Sequence, residues 1–216
     1  MSLGGRRFPL AKEGMFFILP LAAITLILWS LRFMVSAGAF SLLTLFVIYF
    51  FRDPERLIPP GEKAILSPAD GKVIRIEPCR EERFLQRPTI KISVFMSLFD
   101  VHVNRVPLTG TIANVRYFPG KFFSANLDKA SSANEQNALL IETADGVRIL
   151  TVQIAGLIAR RIVCWVEKGD RVVRGQRFGL IRFGSLLDIY LPQETRVQAK
   201  PGQKAYGGQT ILGYLP

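Results

Sequence analysis

A single histidine, His102, and two cysteines, Cys79 and Cys164, are all that 216 residues offer as imidazole or thiolate metal ligands. One imidazole and two distant thiols cannot assemble an ordinary four-ligand zinc site, so no metal is expected. Two cysteines also fall short of a disulfide framework, and both are read as core or surface thiols. Long coiled-coil heptads are lacking. So are a compact basic run and an aromatic RNA-binding signature, although the net charge is +11. Charge spread in this way suits an anionic membrane surface, where each basic residue near the headgroups contributes about 1 kcal/mol. Nucleic acid is not an expected partner.

Charge is also missing from two long stretches, residues 15–31 and 33–51, with Arg32 between them. Each is about long enough to cross a ~30 Å hydrocarbon core as a helix. The second follows the first at once and no small-residue cleavage site intervenes, which argues against a removed signal peptide. The pair reads as a hydrophobic helical hairpin, either spanning or inserted into one leaflet, with Arg32 snorkelling at its turn. Pro20 is expected to shorten the regular part of the first helix. Arg6, Arg7 and Lys12 flank one end and Arg52, Arg56 and Lys63 the other. By the positive-inside rule both ends, and the domain that follows, face the cytoplasm. The domain division is therefore 1–51, membrane-associated, and 52–216.

Beyond a Pro-rich, charged connector, period-two alternation dominates. It is clear in Lys72-Val73-Ile74-Arg75-Ile76, in Thr89-Ile90-Lys91-Ile92-Ser93-Val94-Phe95 and in Val147-Arg148-Ile149-Leu150-Thr151-Val152. Closely spaced Gly and Pro separate these segments, as in a compact β sandwich. Residues 80–87, stopped by Pro88, are the best candidate for a short soluble helix. Residues 118–137 read as one long loop of the kind often functional. The Gly-Asp-x-Val-x-x-Gly-Gln rhythm of Gly169 to Gln176 is echoed between Val197 and Gly213, a partial internal repeat of the lipoyl- and biotinyl-hairpin type. The fold class is thus β-dominated α+β, a barrel-sandwich-like β domain behind an N-terminal hydrophobic helical hairpin. A cofactor-carrier role would need a lysine in a modification motif at a hairpin tip, and none stands out; the likeness is architectural.

Three segments carry chemistry. Leu66-Ser67-Pro68-Ala69-Asp70-Gly71-Lys72-Val73 sets an acid at a tight turn, and Phe95 to Pro107 holds His102 among β-branched residues. Arg182-Phe183-Gly184-Ser185-Leu186-Leu187-Asp188 places a hydroxyl directly after an unobstructed glycine carbonyl. Asp, His and Ser are the parts of a nucleophile, base and orienter arrangement, which is recognised by roles and not by spacing. A fourth block runs from Gly120-Lys121-Phe122-Phe123-Ser124-Ala125-Asn126-Leu127-Asp128-Lys129 to Asn134-Glu135-Gln136-Asn137. In this order the four blocks resemble those of phosphatidylserine decarboxylases, in particular the short bacterial and archaeal form with a Gly-Ser processing site. The resemblance covers about residues 52–216. Leu186 departs from it, since many relatives carry a small polar or basic residue there.

The resemblance implies a zymogen that makes its own cofactor. Ser185 attacks the Gly184 carbonyl, and elimination and hydrolysis then split the chain into 1–184 and 185–216. The second fragment is capped by a pyruvoyl group derived from Ser185. His102 is implied as the base and Asp70 as the residue that orients it. The pyruvoyl ketone then forms a Schiff base with the headgroup amine and accepts electrons as CO₂ leaves, yielding phosphatidylethanolamine. Lys121, Asn126, Lys129 and Glu135 are weaker candidates for holding the headgroup. The partners implied are an anionic phospholipid, the membrane and the two cleaved chains, with room for a homodimer. Two alternatives stay open: an archaetidylserine-type lipid decarboxylase, and a non-catalytic membrane-anchored barrel-sandwich adaptor, which would keep its chain intact.

Overall fold

The computed structural model describes residues 9–121, 134–156, 161–182 and 185–216. The chain divides into two compact units, Met1–Glu55 and Arg56–Pro216. In the first, α1 (Lys12–Ser30) and α2 (Met34–Phe50) form an antiparallel hairpin around a turn where Arg32 takes a positive φ of 61°. Entry and exit lie together: Ala11 N–H donates to the Phe51 carbonyl (2.8 Å) and Asp53 N–H to the Pro9 carbonyl (2.7 Å). Towards the turn, Trp29 Nε1 donates to Ser41 Oγ (3.2 Å). Contrary to the expectation from Pro20, α1 continues through it. Proline withdraws only its own N–H from the ladder, and the flanking apolar turns carry the helix on. At 1.5 Å per residue α1 is about 28 Å long, and it is long and apolar enough to cross a membrane; α2 is shorter. Phe16, Leu26, Val35 and Leu42 point outward and exposed.

The second unit is built of β1 (Ala64–Leu66), β2 (Gly71–Glu81), β3 (Arg87–Met96), β4 (Val103–Arg105), β5 (Gly110–Phe118), β6 (Gln136–Glu142) and β7 (Arg148–Ala155). It continues with β8 (Ile162–Cys164), β9 (Arg171–Val172), β10 (Arg177–Ile181), β11 (Ser185–Pro192), β12 (Arg196–Val197), β13 (Lys204–Ala205) and β14 (Ile211–Tyr214). Eight strands form one curled sheet in the order β13-β2-β3-β11-β7-β6-β5-β9, and two three-stranded sheets are ordered β1-β14-β12 and β4-β10-β8. Because side chains alternate along a strand, β3, β5, β6, β7 and β11 each feed two clusters. Ile92, Val94, Leu139, Ile141, Leu187 and Ile189 face an inner core shared with Ile65, Phe178 and Leu212 of the small sheets. Ala138, Leu150, Val152, Ile154 and Leu186 pack on the outer face. Leu186 is thereby explained: it fills an apolar position between Phe95 and Ile154.

The unit repeats itself. Segments β1–β3 match β4–β6, and β11, β13 and β14 match β7, β9 and β10. Leu66 N–H donates to the Pro107 carbonyl (3.1 Å), and reciprocally Arg105 N–H donates to the Pro68 carbonyl (2.8 Å). Val73 N–H bonds the Gln203 carbonyl and Ile112 N–H the Asp170 carbonyl, both at 2.9 Å. The β2–β3 register shifts between Val73 and Arg75, and the β5–β6 register shifts at the matching place, between Ile112 and Asn114. The repeat legible in the sequence around Gly169 and Gly202 is one edge of this duplication.

Two local expectations are corrected. Residues 80–87 form the end of the β2–β3 hairpin instead of a helix, with 80, 81 and 87 in the strands and 82–86 in the turn. The Glu81 carboxylate accepts the N–H groups of Arg83, Phe84 and Leu85 (2.6–2.9 Å), so a side chain closes the turn where a helix would use carbonyls. At the ends of the expected 118–137 loop, Phe118 pairs with Gln136 and Tyr117 with Asn137, so β5 and β6 reach further than hydropathy suggests.

Candidate active site

Three segments meet at one end of β3. Gly71 closes the turn that carries Asp70, at φ 150°, and a Cβ there would sit 2.1 Å from the Phe95 carbonyl oxygen. Only glycine lets β2 approach β3 so closely. The next β3 residue, Met96, is the register partner of Ser185, whose other neighbour is Ala155 on β7. After Met96 the chain turns through residues 97–100 to reach His102 at the head of β4.

Ser185 opens β11 on the inner face and is fully buried. Its Oγ has no hydrogen-bond partner among the described residues. An orphaned hydroxyl costs roughly 1–3 kcal/mol. Ser93, Thr151 and Thr195 also leave theirs without a partner among the described residues, and what sets Ser185 apart is its place directly after Gly184 in the sequence. Gly184 lies outside the described residues, as do Asn126 and Lys129.

His102 is buried, and its Nδ1 lies 3.0 Å from the Asp100 carbonyl. A carbonyl can only accept, so Nδ1 carries the proton and Nε2 is the ring's acceptor, the form a general base needs. Asp70 is the orienting residue that the family resemblance implies; the contact on Nδ1 comes from the Asp100 backbone. Asp100 is itself pinned, its carboxylate accepting Ser97 N–H (2.9 Å), Ser97 Oγ–H (2.7 Å) and the Lys204 ammonium. No residue pattern marked Asp100, whose part is played by its carbonyl.

Asp70 accepts Gly207 N–H at 2.7 Å on Oδ1 and pairs with Arg56 at 2.7 Å on Oδ2. Its counterpart in the duplicate, Thr109, accepts Arg174 N–H at 3.1 Å. The scaffold thus requires one acceptor here, and Asp70 adds a charge. Arg56 is braced by Gln209 Oε1 (2.7 Å) and lies over the Tyr206 ring. Glu135 is buried, and its backbone bonds Ala155 N–H and the Lys121 carbonyl, which sets both beside the strand next to Ser185. Among the described residues no three His, Cys, Asp or Glu are grouped to hold a metal ion. A depression of about 150 Å³ lined by Phe84, Phe118 and Tyr190 opens on the outer face of the sheet, away from Ser185.

The two acids titrate oppositely. Burial lifts Asp70 above the usual carboxylate range against the Gly207 N–H and Arg56, and the charge of Asp100 adds to the rise. A raised carboxyl contributes stability that is full below its ordinary value of 3.8 and lost as pH rises through the folded value. Burial also opposes ionisation of Asp100, but Lys204 and Ser97 outweigh it and hold it low. Its contribution is present above 3.8 and lost as pH falls through the folded value. Asp100→Asn is therefore expected to cost about 1–2 kcal/mol at pH 7, discounted because Lys204 is half exposed. Thermal melts should show this deficit shrinking below pH 4; a pH-independent deficit would remove the ionic contribution.

A family model described as phosphatidylserine decarboxylase matches residues 43–213. A protein of Geobacter metallireducens named phosphatidylserine decarboxylase proenzyme is 52% identical over 213 residues, covering 96% of this chain and 97% of its own. Proteins of the same name from Syntrophus aciditrophicus and Burkholderia cenocepacia are 50% and 48% identical over 208 and 206 residues. These cover 94% and 95% of the chain, and 96% of their own lengths.

Proposed function

Because the chain belongs to the phosphatidylserine decarboxylase family, we propose that it is a proenzyme that cuts itself before Ser185 and then converts phosphatidylserine to phosphatidylethanolamine and CO₂. The observation that carries the reading is the buried Ser185 hydroxyl at the head of β11, next in sequence to Gly184 and without a partner among the described residues. Ser185 Oγ adds to the Gly184 carbonyl carbon while its proton passes to His102 Nε2. The C–N bond breaks, the released amine takes the proton, and an ester replaces the amide. Loss of the Ser185 Cα proton expels the Gly184 carboxylate from Cβ, and water hydrolyses the resulting enamine with release of ammonia. The pyruvoyl group left on residue 185 supplies the electron sink for decarboxylation.

The apolar slot between Met96 and Ala155 suits this group, which lacks the serine hydroxyl that no described residue satisfies. His102, on the adjoining turn, holds a proton for the substrate Cα. Lys121 and Glu135 border the side from which a headgroup would enter, and Asn126 and Lys129, outside the described residues, are proposed to bind it with them. The chain is assigned to the cell membrane through its N-terminal hairpin, with the second unit in the cytoplasm. Its partners are the phospholipid, the bilayer and its own two fragments.

Intact mass measurement of the purified full chain tests the reading. Two fragments are expected, residues 1–184 and 185–216, the smaller blocked at its N-terminus by a ketone that hydrazine reagents label. A folded protein that remains one 24.2 kDa chain would overturn the proposal and favour the adaptor alternative.

A further inference from the structure

A file of buried amides crosses the inner core to the Ser185 slot. Asn137 Nδ2 on β6 donates to Gln153 Oε1 on β7 (2.9 Å), and Gln153 Nε2 donates to Asn104 Oδ1 on β4 (2.8 Å). Asn104 Nδ2 ends the file 3.7 Å from Met96 Sδ. Asn104 and Gln153 are wholly buried and Asn137 is 3% exposed. The direction is fixed by the sulfur: turned round, the file would aim an amide oxygen at a thioether, acceptor against acceptor. All three dipoles therefore align, and each bond polarises the next towards the Asn104 N–H. A thioether is a weak acceptor, so this donor stays under-used. Met96 and Ser185 are paired on one face, where opposed side chains stand roughly 4.5–5.5 Å apart at Cβ.

The duplication supplies the control. By strand register, the counterparts of Asn104, Gln153 and Asn137 are Ile65, Leu191 and Ile90. The same fold closes its other half with aliphatic side chains, so packing alone does not call for amides. Burying them unpaired would cost several kcal/mol, and the file satisfies them while leaving one donor at the reacting end.

We propose that Asn104 is the hydrogen-bond donor to the oxyanion formed when Ser185 adds to the preceding carbonyl, with Gln153 and Asn137 as positioning residues. The inference rests on the self-cleavage proposed above. In that step the carbonyl π pair moves onto oxygen, the Ser185 proton goes to His102, and the Asn104 N–H binds the developing charge. Collapse returns the pair and breaks the C–N bond.

The full chain is made by cell-free translation and its splitting followed on gels. Removing one such donor slows comparable reactions 10²–10³-fold, and that loss is expected for N104D, which keeps the acceptor for Gln153 and lacks the donor. The triple variant N104I/Q153L/N137I copies the other half of the fold. In a non-cleaving S185A background it is expected to melt within a few degrees of its parent, yet with Ser185 restored to split at least 100-fold more slowly. Hydroxylamine, which captures an ester, should not rescue either variant, because the block precedes the ester. Splitting of N104D within about threefold of the parent would overturn the inference, as would rescue by hydroxylamine to the parent rate. Should the triple variant not fold, N104D decides alone. If the parent itself never splits, the processing reaction fails and not the donor assignment.

Discussion

Ser185→Ala is expected to leave a single 24.2 kDa chain with no decarboxylase activity. The alanine keeps Cβ, so the register of β11 between β3 and β7 is preserved and nothing collapses. What disappears is a hydroxyl that has no partner among the described residues, and removing an unsatisfied buried group is neutral or stabilising by about 1 kcal/mol. Loss of cleavage is thus predicted without loss of fold, which melting curves and intact mass together establish. Ser185→Cys keeps a nucleophile at the same place and should split, slowly. A divided chain from the alanine variant would sink the assignment of the scissile bond.

The second large effect belongs to His102. With Nδ1–H committed to the Asp100 carbonyl, the imidazole presents Nε2 as its acceptor. His102→Gln can retain a donor to that carbonyl but has no basic nitrogen, so self-cleavage should fall by 10²–10⁴, the usual worth of a general base. A time course from the moment of translation reads this directly. If the variant matures at the parent rate and only turnover of phosphatidylserine falls, His102 serves the second reaction and not the first.

Much of this architecture is legible in the residues. The two uncharged stretches predict the hairpin, alternation predicts the strands, and the glycine rhythm after Val166 hints at a duplicated β unit. Asp70, His102 and Ser185 are conspicuous because each has a chemical handle. Asp100 escapes notice because it acts through its backbone, which has no sequence signature. Asn104, Gln153 and Asn137 escape for another reason: three amides on three strands, 49 residues apart at the widest step, converge only in the fold. The helix expected at 80–87 fails because Glu81 turns inward as a turn-closing acceptor, a choice that propensity cannot foresee.

Fragment 185–216 would hold β11 at the middle of the large sheet, β13 at its edge, and β14 between β1 and β12. Strands so placed cannot be added to a finished barrel sandwich from outside. A cut at that bond must therefore come after folding, and its two products would stay interwoven like the parts of a closed clasp. For a cell this makes the ratio of precursor to products a report on folding itself. Any substitution that delays assembly, however far from Ser185, will be seen first as an accumulation of the uncut chain.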